Sequence, residues 1–295
     1  MIANAATPRL TVILPARNAA PTIGAQLAAL AEQDYPEPWE IVVIDNGSHD
    51  DTAAIVHSWF GRLANLRLVE CATAGANRAR NAGVRAARGD LVLVCDGDDA
   101  VTPGWVSAMA SGLESFDIVG GLLDYVRFNQ PEVRAGRERL ARTELPIAPN
   151  GRRYAVGANI AFRRVVHEAI DGFDESFRIG SDEIDFCLRA QYAGFSIGVA
   201  PDAVIHYRLR SRMRDVYRQN YAYATGFAYL HRKHIDLGML PAPSRLHQAK
   251  VIVEHCRSVA AVWRIVDPAQ RGRYARDAAW CAGSFAGFRR YRVFV

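Results

Sequence analysis

The sequence predicts an α/β fold in which helices cover a mostly parallel sheet. Two observations carry this expectation. Short apolar runs alternate with alanine-rich stretches of helical period through the first two hundred residues; repetition of that kind needs right-handed crossovers between parallel strands. Three of the apolar runs also end in polar side chains, namely Arg17 and Asn18, Asp45 and Asn46, and Asp96 and Asp98. In such a sheet these would line the carboxyl edge, where ligands bind.

Taken in order, "RLTVILPA" reads as a strand, "APTIGAQLAALAEQ" as a helix and "WEIVVIDNGS" as a second strand. "DDTAAIVHSWFGRL" reads as a helix capped by Asp50 or Asp51, and "ANLRLVE" as a strand. "ANRARNAGVRAARG" is then a helix closed by Gly89, and "DLVLVCD" a buried strand. Beyond residue 210, "RLRSRMRDVYRQNYAYATGFAYLHRKH" and "DAAWCAGSFAGFRRYRVFV" have helical character.

At 295 residues, half of them hydrophobic, the chain can build one large domain with an appendage or two small domains. The five cysteines, Cys71, Cys95, Cys187, Cys256 and Cys281, are scattered and form no CxxC pair for zinc or redox chemistry, so a reducing compartment is the simplest expectation. No apolar run approaches the roughly 18 to 20 residues that cross a bilayer. The N-terminus lacks a basic start followed by a long apolar core, so a cytoplasmic protein is expected. The net charge is +5, and arginine carries nearly all the positive charge because Lys233 and Lys250 are the only lysines. Charge alone suggests nucleic acid, and no recognition motif supports such a partner.

The stretch "GDLVLVCDGDDAVTPGW" sets three carboxylates, Asp96, Asp98 and Asp99, directly after an apolar run. One aspartate before Pro103 would suit a helix-capping turn. Three within four residues repel one another unless a cation is present, and oxygen ligands favour a hard divalent ion, Mg2+ or Mn2+.

Together with "TVILPARNAAPTIGAQLAALAEQDYPEPWEIVVIDNGSHDDT", "GANRARNAGVRAARGDLVLVCDGDD" and "GFDESFRIGSDEIDFCLRAQYAGFSIGVAPDAVIHY", this stretch resembles the successive signatures of the family 2 glycosyltransferases, across roughly residues 9 to 210. The resemblance implies a GT-A fold and an inverting, metal-dependent transfer from a nucleotide-sugar donor to a glycan or lipid-linked acceptor. It also implies a catalytic domain over residues 1–210, with a nucleotide-binding half at about 9–100 and an acceptor half at about 101–210. A helical appendage would follow at 211–295.

Residue by residue, the resemblance assigns the nucleoside to Pro15, Ala16, Arg17, Asp45 and Asn46. Arg17 stands where an aromatic residue often stacks on the base, and Asn46 where a second Asp is common, so the base could be one other than uracil. Arg78 or Arg80 would reach a diphosphate oxygen. Asp96 and Asp98 would face the ribose and metal, with Asp99 the closest metal ligand and His206 approaching the same metal or diphosphate. Asn159 would stand beside the sugar and acceptor, where Gly157 and Ala158 leave room.

A general base must take the proton of the attacking hydroxyl. "GSDEIDFCLRA" supplies Asp182, Glu183 and Asp185 at a helix N-terminus, where the dipole favours anions. The family usually has Glu then Asp at the first two positions; here the order is reversed, so Glu183 is the first choice and Asp182 the alternative. The irregular, arginine-rich stretch between Tyr125 and Tyr154 reads as a mobile loop over the acceptor channel.

Two readings of the C-terminal helices stay open. They could be an interfacial surface in which Arg208, Arg210, Arg212 and Arg214 meet anionic lipid, placing the protein at the inner membrane face. They could equally pack on the catalytic domain with a solvated basic face. A haloacid-dehalogenase phosphatase needs Thr or Val where Ala100 stands, a sugar nucleotidyltransferase lacks its Gly-rich loop here, and a non-catalytic nucleotide-sugar binder would have no need of Asp182 and Glu183.

Overall fold

The computed structural model describes residues 8–63, 65–134, 144–178, 180–240, 253, 257 and 268–293. Its strands are β1 (Leu10–Ala16), β2 (Trp39–Asp45), β3 (Leu66–Glu70), β4 (Leu91–Cys95), β5 (Ala100–Val101), β6 (Ile118–Asp124), β7 (Asn159–Arg163) and β8 (Ile197–His206). Its helices are α1 (Ile23–Ala31), α2 (Thr52–Ser58), α3 (Ala76–Ala86), α4 (Trp105–Ser115), α5 (Pro131–Arg134), α6 (Arg164–Ala169), α7 (Asp182–Tyr192), α8 (Met213–Asp236) and α9 (Pro268–Arg290).

The described strands form one eight-stranded sheet in the order β3-β2-β1-β4-β7-β6-β8-β5. The first four run parallel, as the alternating pattern requires. β7 is antiparallel to both β4 and β6, and β6 is again parallel to β8. The sheet is mostly parallel, as expected, and β7 separates the first four strands from β6, β8 and β5, the last of which is antiparallel to β8.

Strand alternation distributes the apolar residues between two cores. Leu10, Val12 and Leu14 of β1 join Ile41, Val43, Leu91 and Leu93 on the face covered by α1 and α4. Ile13, Val42, Ile44, Val92 and Val94 turn to the other face, against α3 and α7. A strand buried on both sides has no polar alternation to show, which is why "LVLVC" is uninterrupted.

Two helix boundaries depart from expectation or refine it. Asp51 stands at the N-cap of α2 without a side-chain cap hydrogen bond, while Asp50 Oδ1 accepts from the Thr52 N–H at 3.1 Å. Gly89 does not close α3, which ends at Ala86. A Cβ at Gly89 would lie 2.7 Å from the Leu10 backbone, so glycine is needed there because β1 passes against it.

The C-terminal helices meet along a seam of small residues in parallel register: Ala224 of α8 lies against Gly283 of α9, and Ala228, one turn on, against Gly287. Among the described residues no helix is long and apolar enough to cross a membrane. α8 is tied to α7 by one carboxylate. Asp185, fully buried, pairs with Arg189 at 2.8 Å, Lys233 at 2.7 Å and His234 at 3.0 Å. Lys233 also holds Asp174 at 2.7 Å. Burial opposes ionisation of Asp185, yet the hydrogen bond from His234 and the charges of Arg189 and Lys233 hold its carboxyl down at about 2.

Because Asp185 titrates lower in the folded chain than the ~3.9 of an unfolded one, its stabilisation is complete above about pH 4 and fades as the pH falls toward 2. Asp185→Asn leaves buried cations without their counter-charge and should cost about 3–5 kcal/mol at neutral pH. Thermal unfolding of both proteins across pH should show a wide gap at pH 6 that narrows below pH 4.

Candidate active site

The polar strand ends do gather along one sheet edge. Ala16 is hydrogen-bonded through its carbonyl to the Asn46 N–H at 2.8 Å, joining the ends of β1 and β2. Asn46 is buried, and its Oδ1 accepts from the Gly75 N–H at 2.9 Å, which anchors the loop leading into α3. Asp45 accepts from the Ser48 N–H at 2.9 Å. Pro15 is half-buried, and Arg17 is exposed with no hydrogen bond or ion pair among the described residues.

At the end of β4, Asp96, Asp98 and Asp99 bring one carboxylate oxygen each within 4.8 Å of one another. Asp99 is buried; its Oδ1 accepts from the Arg208 N–H at 2.7 Å, while Oδ2 is buried without a partner. Burial, then the charges of Asp98 and Asp96, push the Asp99 carboxyl up to about 9. An orphaned carboxylate oxygen among like charges is the arrangement a bound cation relieves, so this donor set fits a hard divalent ion.

His206 stands outside that group. The Asp124 carboxylate holds its Nδ1 at 2.6 Å, and Phe128 meets the ring edge-on. The proposed lipid-facing row of arginines fails as one face. Arg208 donates from Nε to the Asp98 carbonyl at 3.0 Å and lies 4.1 Å over Phe128, and Arg210 pairs with Asp98 at 3.4 Å. Of the four, only Arg208 is partly buried; Arg210, though paired with Asp98, is exposed like Arg212 and Arg214.

Beyond Asp96 a cavity of about 630 Å³ extends away from Pro15, Arg17 and Asp45 toward the C-terminal helices. Arg80 lines its near end. Its Nη1 donates to Asp182 at 2.5 Å and to Asn77 at 3.1 Å, and Nη2 lies 3.8 Å from Asp96. The guanidinium expected to reach a diphosphate is thus engaged within the protein. Arg78 is also diverted: it pairs with Glu175 at 3.1 Å on the surface. Gly157 makes room for the buried guanidinium, since a Cβ there would lie 3.0 Å from Arg80 Nη2.

Two successive left-handed residues, Gly180 (φ 72°) and Ser181 (φ 65°), turn the chain into the first turn of α7. Asp182 is buried against Arg80, while Glu183, half-buried and without a cation of its own, faces the cavity. Burial, then the adjacent Asp182, raises the Glu183 carboxyl above the ordinary range. Two neighbouring carboxylates are therefore driven apart in function: one balances a buried charge and the other retains its proton affinity.

Asn159, expected beside the sugar, is fully buried. Its Nδ2 donates to the Leu122 and Ala203 carbonyls at 2.8 and 3.0 Å, and its Oδ1 accepts from Trp105 Nε1 at 2.8 Å. It pins β6, β7 and β8 together. Sequence reasoning missed the far wall of the cavity, where Tyr223, Phe227 and Trp280 stand on α8 and α9. Aromatic spacing in "NYAYATGFAYL" and "AAWCAGSF" was the available signal. Part of the stretch read as a loop over the acceptor channel, residues 135–143, lies outside the described residues; before it the chain forms α5, and Glu144, Pro146 and Tyr154 after it line the cavity.

A sequence profile of "Glycosyl transferase family 2" matches residues 11–171. Glycosyltransferase AglE of Haloferax volcanii is 28% identical over 201 residues, 67% of this chain and 66% of that protein, just under two thirds of its length. Among solved structures, mannosyltransferase PcManGT from Pyrobaculum calidifontis, in complex with GDP-Man and Mn2+, superposes with a TM-score of 0.67 at 24% identity, covering 96% of this chain and 87% of that one. TarS 1–349 of S. aureus in complex with UDP-GlcNAc gives a TM-score of 0.56 at 19% identity, covering 96% and 92%. At these identities the superpositions establish the GT-A fold.

The differing duties of the two adjacent carboxylates have opposite consequences for stability. Asp182→Ala strands the buried Arg80 charge and should cost about 3–5 kcal/mol. Glu183→Gln removes a carboxylate disfavoured by burial and by its neighbour, and should leave stability unchanged or raise it. Chemical denaturation of the two variants at pH 7 separates these outcomes.

Proposed function

The chain belongs to glycosyl transferase family 2, and on that premise we propose that it transfers a sugar from a nucleoside-diphosphate donor to an acceptor hydroxyl with inversion, assisted by Mn2+ or Mg2+. The observation that carries this reading is Glu183: a carboxyl with raised proton affinity that lines the same cavity as Asp96 of the three-aspartate cluster.

In the proposed reaction the Glu183 carboxylate accepts the proton of the acceptor hydroxyl as that oxygen forms its bond to the anomeric carbon. The bond from that carbon to the diphosphate breaks, and the electron pair leaves with the diphosphate. A single displacement with one base inverts the carbon. Asp182 keeps Arg80 balanced and so orients the first turn of α7. Asp98 and Asp99, with Asp96, would hold the cation, which supplies charge neutralisation to the departing diphosphate. Pro15, Ala16, Arg17, Asp45 and Asn46 form the nucleoside side, with the exposed Arg17 guanidinium available to stack on a base. We assign catalysis to residues 1–210, with 211–295 as the appendage, acting in the cytoplasm on a glycan or lipid-linked acceptor.

The decisive experiment incubates the protein with UDP- and GDP-sugars and Mn2+, and reads nucleotide release and the anomeric configuration of the product by NMR. Retention at the anomeric carbon, or undiminished transfer by Glu183→Gln, would overturn the mechanism. Glu183→Gln should lose ~10² to 10⁴ of the rate with donor affinity intact. Since a base with a raised proton affinity works only after losing its proton, the wild-type rate should climb with pH across its titration, and the Gln variant should lack that rise.

Metal dependence has a separate readout. A cation at ~100 times its Kd should stabilise the protein by ~2.7 kcal/mol. Differential scanning fluorimetry should show that shift with Mn2+ in the wild type and its loss in Asp99→Asn. Without metal the same substitution should not lower the melting temperature, because the removed carboxylate is one its neighbours repel.

A further inference from the structure

The cavity continues past Glu183 to a wall that belongs to no described part of the transfer machinery. Tyr223 and Phe227 reach it from α8 and Trp280 from α9. Trp280 is 39% exposed and lies tilted against Phe227, with ring centroids 5.7 Å apart. Tyr223 packs on the turn that launches α7: a Cβ at Gly180 would lie 2.6 Å from its ring. The wall is therefore fixed to the same turn that carries Asp182 and Glu183.

We infer that this wall is the acceptor subsite and that the acceptor it takes is a neutral glycan, one sugar ring of which stacks across Trp280 and Phe227 while another presents its hydroxyl to Glu183. The inference rests on the transferase reading and specifies its acceptor. Three features carry it. Aromatic faces bear partial negative charge and attract the weakly positive C–H faces of a sugar ring. Tyr223 and Trp280 also bear polar tips, which suit a hydroxyl-rich ligand better than a hydrocarbon tail. Finally, Asp96, Glu144, Asp182 and Glu183 line the cavity against two guanidiniums, Arg80 and Arg178, and Arg80 is already balanced by Asp182. A phosphorylated acceptor entering this cavity would meet a surplus of carboxylates.

Saturation-transfer NMR provides the test, using cellotriose, mannotriose and chitotriose as neutral probes and farnesyl phosphate as the lipid-phosphate probe. At least one trisaccharide should bind, lose about tenfold in affinity in Trp280→Ala, and regain most of it in Trp280→Phe. Trp280 is half-exposed, so neither variant threatens folding. The inference is overturned if no trisaccharide binds, if Trp280→Ala leaves binding undiminished, if the Phe and Ala variants lose equally, or if farnesyl phosphate binds more tightly than every trisaccharide. Affinity for UDP and GDP with Mn2+, measured alongside, should be the same in wild type and variants. If neither nucleotide binds the wild type, the transferase reading fails; if nucleotide binds and the saccharides do not, only the acceptor assignment falls.

Discussion

The buried pair between Arg80 and Asp182 is the constraint on which the site depends. A guanidinium enclosed by Asn77, Phe173 and the Gly157 backbone is costly unless a carboxylate meets it. Meeting it requires α7 to start at one particular place, and the left-handed pair Gly180 and Ser181 makes the abrupt turn that puts it there. Asp182 and Glu183 both line the cavity, and of the two Asp182 is the one that pairs with the guanidinium. The pair thus links α3 to α7 across about a hundred residues.

The aspartate cluster obeys a related logic with a different solution. Its repulsion is relieved in part by chain that returns after β8: the Arg208 N–H on Asp99, the Arg208 side chain on the Asp98 carbonyl, and Arg210 on the Asp98 carboxylate. Asp99 nonetheless keeps an unpartnered oxygen, so the relief is incomplete. The protein compensates enough charge to fold while leaving one position unsatisfied.

Much of this architecture was legible because it is written in local patterns. The two-sided burial of β4 follows from an unbroken apolar run, and the carboxyl edge from polar residues at strand ends. That Asp182 pairs with Arg80 while Glu183 has a raised proton affinity is a difference between two adjacent carboxylates that the sequence could not state. What stayed hidden were partners distant in sequence. Asn159 has the chemistry to touch a sugar, and only the fold reveals that two carbonyls and the Trp105 indole saturate it. The arginines after β8 have the composition of a lipid-binding patch, and the aspartates that attract Arg208 and Arg210 lie about a hundred residues earlier. Residue type was readable throughout; the competing neighbour was not.

Those separations bear on the order in which a ribosome delivers the parts. Arg80 precedes Asp182 by 102 positions, and Asp99 precedes Arg208 by 109. The N-terminal half therefore emerges carrying both a guanidinium without its carboxylate and a carboxylate cluster without its arginines. Long-range closures of this kind are formed slowly. Both closures must wait for the later half of the chain: the first for α7, the second for the segment after β8.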